Sequence, residues 1–295
     1  MILQLNNTAD LNHQHKNVMT KKDVVVILGP TASGKTGVAI EIAKEIGGEI
    51  ISADSRAIYK GLDLGTAKPT SEEQKKVPHW GIDLVEPGER FTVADWKKYA
   101  EQKIQEIKNR GNVPIIAGGT GLYVDALIYG YQFGRGAGAE SSAYRGHPQL
   151  LRGRSDEPRE DGREERPRKA LLSAPDRATQ RSNFLLIGVK TIPEELRARI
   201  TERVNKMFTQ KLYEETKWAV TKYGWDNQAM KSNIYQFVWD YLQGKTSLER
   251  AKELAVFDDW HLAKRQLTWF KRNEKICWLP LAKIKAYVIK CIQDE

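Results

Sequence analysis

Asp23–Gly47 reads DVVVILGPTASGKTGVAIEIAKEIG, and the fold follows from this stretch. A continuous β-branched run is followed by a glycine-bounded loop. Beyond the loop, apolar residues recur at helical spacing at Val38, Ile42, Ala43 and Ile46. The order is strand, loop, helix. Gly29, Pro30, Thr31, Ala32, Ser33, Gly34, Lys35 and Thr36 fit the pattern G-x-x-x-x-G-K-[ST]. Such a loop surrounds phosphate oxygens with backbone N–H groups at a helix N-terminus. Lys35 adds a point charge, and the Thr36 hydroxyl is placed to hold Mg²⁺.

Outward from this loop, GEIISADSR reads as a second strand ending at Asp54-Ser55, and NVPIIAGGTGLYVDAL as a third that runs through Gly118-Gly119 into a helix. In an open parallel sheet, ligands bind at the carboxyl ends of the strands, which is where Asp54 and Thr120 fall. Asp54 is a candidate general base or metal-shell ligand, with an Asx turn as the plainer alternative. Thr120 is either a helix cap or a substrate contact. His79, alone beside Trp80, reads as a packed residue. The expected fold class is α/β: a P-loop parallel sheet around 24–28, 50–53, 113–117 and 184–189, with helices on both faces. A mostly helical C-terminal part should contain helices over 194–217, 247–255 and 260–272.

The totals bound the function. The chain has 295 residues, 40% of them hydrophobic, enough for a sizeable core. No apolar run approaches the roughly 18 residues of a membrane span, and the N-terminal 1–22 lacks a signal-peptide pattern, so a flexible leader, a cytoplasmic location and no membrane partner are expected. The two cysteines, Cys277 and Cys291, have no metal-ligand spacing and read as reduced thiols. A net charge of +9 favours a polyanionic partner such as RNA. These residues alone indicate an enzyme that handles a nucleotide or a diphosphate, and they leave open which.

GPTASGKT, ISADSR followed by IYKGLDLGTAKPT, VPHWGIDLVEPGERFTVADW and IIAGGTGLYVDALIYG occur in this order, with RITERVNKMF and WHLAKRQLTWFKRN nearer the C-terminus. Together they resemble the tRNA dimethylallyltransferase (tRNA isopentenylpyrophosphate transferase) family over about residues 23–133 and 183–280. The resemblance implies transfer of a dimethylallyl group from dimethylallyl diphosphate to N6 of the adenine beside the anticodon. The phosphate loop would then hold the diphosphate, with Mg²⁺ at Thr36. It makes Asp54 the general base and Thr120 a contact at the flipped-out base. It extends the tRNA contacts to Ser55, Arg56 and Ala57 and, on the basic stretch His261–Trp269, to Lys264, Arg265 and Gln266. There Lys264, Arg265, Lys271 and Arg272 meet phosphates while Leu267 and Phe270 pack inward. A monomer is expected. Two departures stand out. The family's D-S-x-Q has Ala57 where Gln would read the base, and its I-G-Y-x-E appears as Asn233-Ile234-Tyr235-Gln236-Phe237. The competing readings are a P-loop small-molecule kinase and a non-catalytic RNA-binding relative.

Residues 134–182 break the pattern. Gly134–Gln180 contains no Ile, Val, Phe, Met or Trp, and the family's helical insertion signature, which opens on N-D-P, is missing from it. One permitted coding of Glu164–Ala178, read one base later, spells RNDPGKRYLVRQIE, with the N-D-P and the closing R-x-I-E of that signature. The stretch is therefore read as an insertion translated out of frame, leaving a core at 23–133 and a remainder at 183–295. Sequencing the coding DNA across this stretch is expected to return codons whose shifted frame carries the signature; codons that do not would refute the reading.

Overall fold

The computed structural model describes residues 24–133, 183–230 and 233–293. The expected flexible N-terminus and the insertion, including Glu164–Ala178, lie outside the described residues. The elements in chain order are β1 (Val24–Leu28), α1 (Lys35–Ile46), β2 (Gly48–Ala53), α2 (Ser71–Gln74), β3 (His79–Trp80), α3 (Val93–Asn109), β4 (Val113–Gly118) and α4 (Gly121–Ile128). They continue with β5 (Phe184–Lys190), α5 (Pro193–Met207), α6 (Gln210–Tyr223), α7 (Asn233–Leu242), α8 (Leu248–Phe270), β6 (Cys277–Pro280) and α9 (Leu281–Gln293).

The strands form one parallel sheet in the order β3-β2-β4-β1-β5-β6. A parallel sheet is covered on both faces, so its strands are apolar throughout rather than alternating. The VVVIL of β1 is buried at every position. Val24, Val26 and Leu28 face a core shared with Trp96 and Ala100 of α3 and with Val124 and Leu127 of α4. Val25 and Ile27 face Val38 and Ile42 of α1 and Ile284 and Val288 of α9. Each fully buried aliphatic side chain stabilises the fold by roughly 1.5–3 kcal/mol.

A third core joins Ile58, Tyr59 and Leu62, which follow β2, to α5, α6, α7 and α8. It ties the helical part to the carboxyl edge of the sheet. The loop Lys60–Lys68 between these layers is held from both sides. Glu215 of α6 accepts hydrogen bonds from the backbone N–H groups of Asp63, Leu64 and Gly65 at 3.1, 2.9 and 2.9 Å. Tyr235 donates its hydroxyl to the same carboxylate at 2.7 Å. Lys68 is almost wholly buried and bonds Asp63, Asp83 and the carbonyl of Tyr59.

The structure differs from the sequence expectation in three places. The helix expected over 194–217 breaks at Phe208–Thr209, separating α5 from α6. The helices expected over 247–255 and 260–272 form the single α8. The sheet has two further short edge strands, and α9 covers α1.

Helix α3 shows how local and long-range terms combine. Thr92 and Asp95 form a reciprocal capping box, and Trp96 in the next position is fully buried. The Trp96 indole donates to the Ser52 carbonyl at 2.9 Å and stacks on Tyr123 at 4.7 Å. Trp96→Ala is expected to destabilise the protein by about 3–5 kcal/mol. Chemical denaturation measures this; a loss below about 1 kcal/mol would contradict the packing described.

Candidate active site

The carboxyl ends of three strands meet in register. Leu28 of β1 and Ala53 of β2 both pair with Gly118 of β4. This brings together the three segments that follow: the loop Gly29–Thr36, the corner Asp54–Ala57 and the turn Gly119–Thr120. The approach demands glycine at 118, where a Cβ would lie 2.2 Å from the Ala53 carbonyl oxygen. Gly34 adopts φ +86°, a conformation glycine reaches without strain, and leads into α1.

The first turn of α1 has no side-chain cap and no acidic residue. Its N–H groups are left for an anion, reinforced by the helix dipole. The Ser33 hydroxyl is buried with no hydrogen-bond partner among the described residues. Lys35 donates to the Pro30 carbonyl at 3.2 Å. Burial lowers its pKa to about 8; Asp54 opposes that shift and the positive charge of Arg203 adds to it. A desolvated ammonium beside an orphaned hydroxyl and unused amides is a site built for an anion.

A cavity of about 260 Å³ opens here, lined by the loop from Thr31 to Thr36 and by Asp54, Ala57, Lys68, His79 and Arg203 among others. One Asp54 oxygen accepts the Arg56 N–H at 2.8 Å, the bond of an Asx turn. The same carboxylate nevertheless lines the cavity and acts electrostatically on Lys35. Thr120 occupies the N-cap position of α4 without capping it. Its hydroxyl accepts the Ser55 N–H at 3.0 Å and lies 3.3 Å from the Ser55 hydroxyl. Asp54, Ser55 and Thr120 thus form one corner.

The Arg56 guanidinium donates to the Gln228 carbonyl at 2.9 Å, and Ala57 is buried. His79 has Nδ1 2.9 Å from the Val77 carbonyl, burial holds its pKa below the usual histidine value, and Nε2 is buried without a partner among the described residues.

The basic helix faces both ways. On α8, Lys264 and Arg265 are exposed, Leu267 is partly buried and Phe270 is buried. Gln266 turns inward: its amide oxygen accepts the Thr31 N–H at 2.8 Å and its amide nitrogen donates to the Gly119 carbonyl at 3.0 Å. One side chain therefore fastens the phosphate loop to the end of β4. Trp269 packs over Gly121 and donates to Asp125 at 3.0 Å.

Arg203 of α5 was missed in the sequence. It reaches the cavity and pairs with Asp259 of α8. A signal was present, because Arg203 sits three residues after Ile200 and seven after Leu196, on the apolar face of α5 that also carries Val204.

The donor set fits Mg²⁺. Thr36 and Asp54 offer a hydroxyl and a carboxylate at the cavity, and no cluster of three or more His, Cys, Asp or Glu side chains competes among the described residues. Mg²⁺ is characteristically held by few protein oxygens together with water and phosphate. Among the described residues no helix is long and apolar enough to cross a membrane.

The family model described as IPP transferase matches residues 57–171 and 162–273. A tRNA dimethylallyltransferase from Limosilactobacillus fermentum is 37% identical over 284 residues, covering 88% of this chain and 92% of its own length. One from Acetivibrio thermocellus is 38% identical over 294 residues, covering 87% and 91%. Among solved structures, the tRNA delta(2)-isopentenylpyrophosphate transferase of Staphylococcus epidermidis superposes with a TM-score of 0.73 at 33% identity, covering 92% of this chain and 99% of that one. The full-length tRNA isopentenylpyrophosphate transferase of Bacillus halodurans also gives 0.73, at 29% identity over 92% and 97%. The likeness covers most of the chain, and the chain belongs to the IPP transferase family.

Proposed function

We propose that this protein is a prenyltransferase that moves a dimethylallyl group from dimethylallyl diphosphate to N6 of the adenine on the 3′ side of a tRNA anticodon, releasing diphosphate. The observation that carries this is the single cavity joining an anion cradle to Asp54. The curated relatives named as tRNA dimethylallyltransferases support it across most of the chain.

In the transfer, the C–O bond between the allylic carbon and diphosphate breaks, and negative charge grows on the leaving oxygen. The loop amides, the α1 N-terminus, Lys35 and Arg203 are already oriented toward that charge, so they stabilise it without reorganising. If Mg²⁺ binds, it would neutralise part of the diphosphate charge, with Thr36 as the residue that would hold it. The adenine amine forms the new C–N bond and loses a proton. Asp54 accepts it, since its second oxygen is not used by the Arg56 N–H. The Ser55–Thr120 hydroxyl pair at the same corner orients the base. Lys264 and Arg265, exposed on α8, meet backbone phosphates of the tRNA. Gln266 contributes from within, by fixing the loop that receives the diphosphate.

Asp54→Ala is expected to lower the transfer rate by roughly two orders of magnitude or more while diphosphate binding persists. Single-turnover transfer and calorimetric binding measure the two separately; unchanged transfer would remove Asp54 as the base.

Lys35 sets the pH dependence. Its pKa is about 8 before the anion binds, and an adjacent diphosphate favours the ammonium and raises it. Affinity for diphosphate should therefore be highest below about pH 8 and fall as pH rises above it, with protons taken up on binding near about pH 9. Calorimetry in two buffers of different ionisation heat should detect this uptake in the native protein and lose it in Lys35→Met. Equal uptake in both would assign the proton to another group.

A further inference from the structure

Arg203 of α5 and Asp259 of α8 form an ion pair that reaches the cavity from the helical part. Arg203 Nη2 lies 2.5 Å from Asp259 Oδ2, with side chains 27% and 18% exposed. The guanidinium is planar and carries five N–H donors, so fixing one edge fixes the direction of the others. Its Nε is buried and has no partner among the described residues. The same side chain lines the phosphate-loop cavity, and its charge acts on Lys35. The guanidinium is therefore held at one edge by Asp259 while unpaired donor capacity remains beside the anion cradle.

We propose that Asp259 is a positioning residue of the diphosphate site: from α8 it holds the Arg203 guanidinium in the orientation that leaves its remaining donors for the diphosphate. The inference rests on the reading of the cavity as a diphosphate site. Two further features support it. Asp259 and Gln266 stand seven residues apart, two turns along one face of α8, and Gln266 fastens the phosphate loop. One helix thus sets both the amide cradle and the arginine. In addition, Lys35, Lys68 and Arg203 all line one small cavity before any anion arrives, and Lys68 is already paired with Asp63 and Asp83. A carboxylate on the far edge of Arg203 offsets part of that repulsion without occupying the cavity itself.

Asp258, the neighbouring acid, provides the control. One of its oxygens is buried without a partner among the described residues, and burial raises its pKa. It points about 100° away round the helix from Asp259. Asp258→Asn removes a similar carboxylate from nearly the same place without touching Arg203.

The test is a double-mutant cycle read by calorimetric binding of inorganic diphosphate and of dimethylallyl diphosphate to the full chain. Asp259→Asn and Arg203→Lys are each expected to weaken binding by about tenfold or more, and the double variant no further than Arg203→Lys alone. Asp259→Glu should restore part of the loss, and Asp258→Asn should leave affinity within about twofold. Melting temperatures identify any variant that binds poorly because it is unfolded, and the Arg203 ¹⁵Nε resonance reports directly on the guanidinium. That resonance should shift in the folded Asp259→Asn variant. Three results overturn the proposal: native affinity in Asp259→Asn, losses that multiply in the double variant, or tighter binding in Asp259→Asn. The last would mean that the carboxylate competes with the anion. Failure of the native chain to bind either diphosphate would instead refute the diphosphate reading, and the proposal with it.

Discussion

A buried ammonium that makes no ion-pair contact among the described residues governs the architecture around it. Lys35 is desolvated, and its bond to the Pro30 carbonyl supplies a neutral acceptor rather than an opposite charge. The site therefore retains binding free energy that only an anion releases. The surrounding structure keeps this arrangement from collapsing. The parallel register of β1, β2 and β4 fixes where the loop, Asp54 and Thr120 emerge. Gln266 holds the loop open by taking one of its amides and anchoring it to Gly119.

The second layer belongs to the helical part, which closes the site. Helix α5 brings Arg203, α8 brings Asp259 and Gln266, and α6 and α7 brace the Lys60–Lys68 loop through Glu215 and Tyr235. Separated from those helices, the sheet would keep a phosphate loop but lose Arg203 and its bracing. The outward face of α8 bears Lys264 and Arg265, so the helix that shapes the phosphate-loop cavity also presents positive charge outward.

Much of this was legible in the residues. The strand-loop-helix of Asp23–Gly47 and the apolar runs of β2, β4 and β5 carry strong patterns because a parallel sheet buries both faces. Other features were less legible. β3 and β6 are two and four residues long, too short for periodicity to register. Helix α9 carries the helical pattern in Ile284, Val288 and Ile292 at four-residue spacing, but no chemical motif accompanies it. The break at Phe208–Thr209 has no glycine or proline to mark it. At the site, the loop and Asp54 declared themselves through local motifs. Arg203, Asp259 and the inward turn of Gln266 arise from pairings between distant segments. Gln266 sits beside Lys264 and Arg265 in sequence, where the resemblance makes all three tRNA contacts; in space its amide bonds Thr31 of the phosphate loop and Gly119. The altered I-G-Y-x-E stretch retains the tyrosine that matters locally, because Tyr235 binds Glu215.

The most direct measurement is analysis of tRNA nucleosides after incubation of the full chain with dimethylallyl diphosphate labelled in its prenyl group, beside a parallel incubation with ATP labelled in its terminal phosphate. The account predicts label in an N6-prenylated adenosine from the anticodon loop, release of diphosphate, and no phosphoryl transfer from ATP. Unmodified tRNA together with phosphoryl transfer from ATP to an acceptor would contradict it.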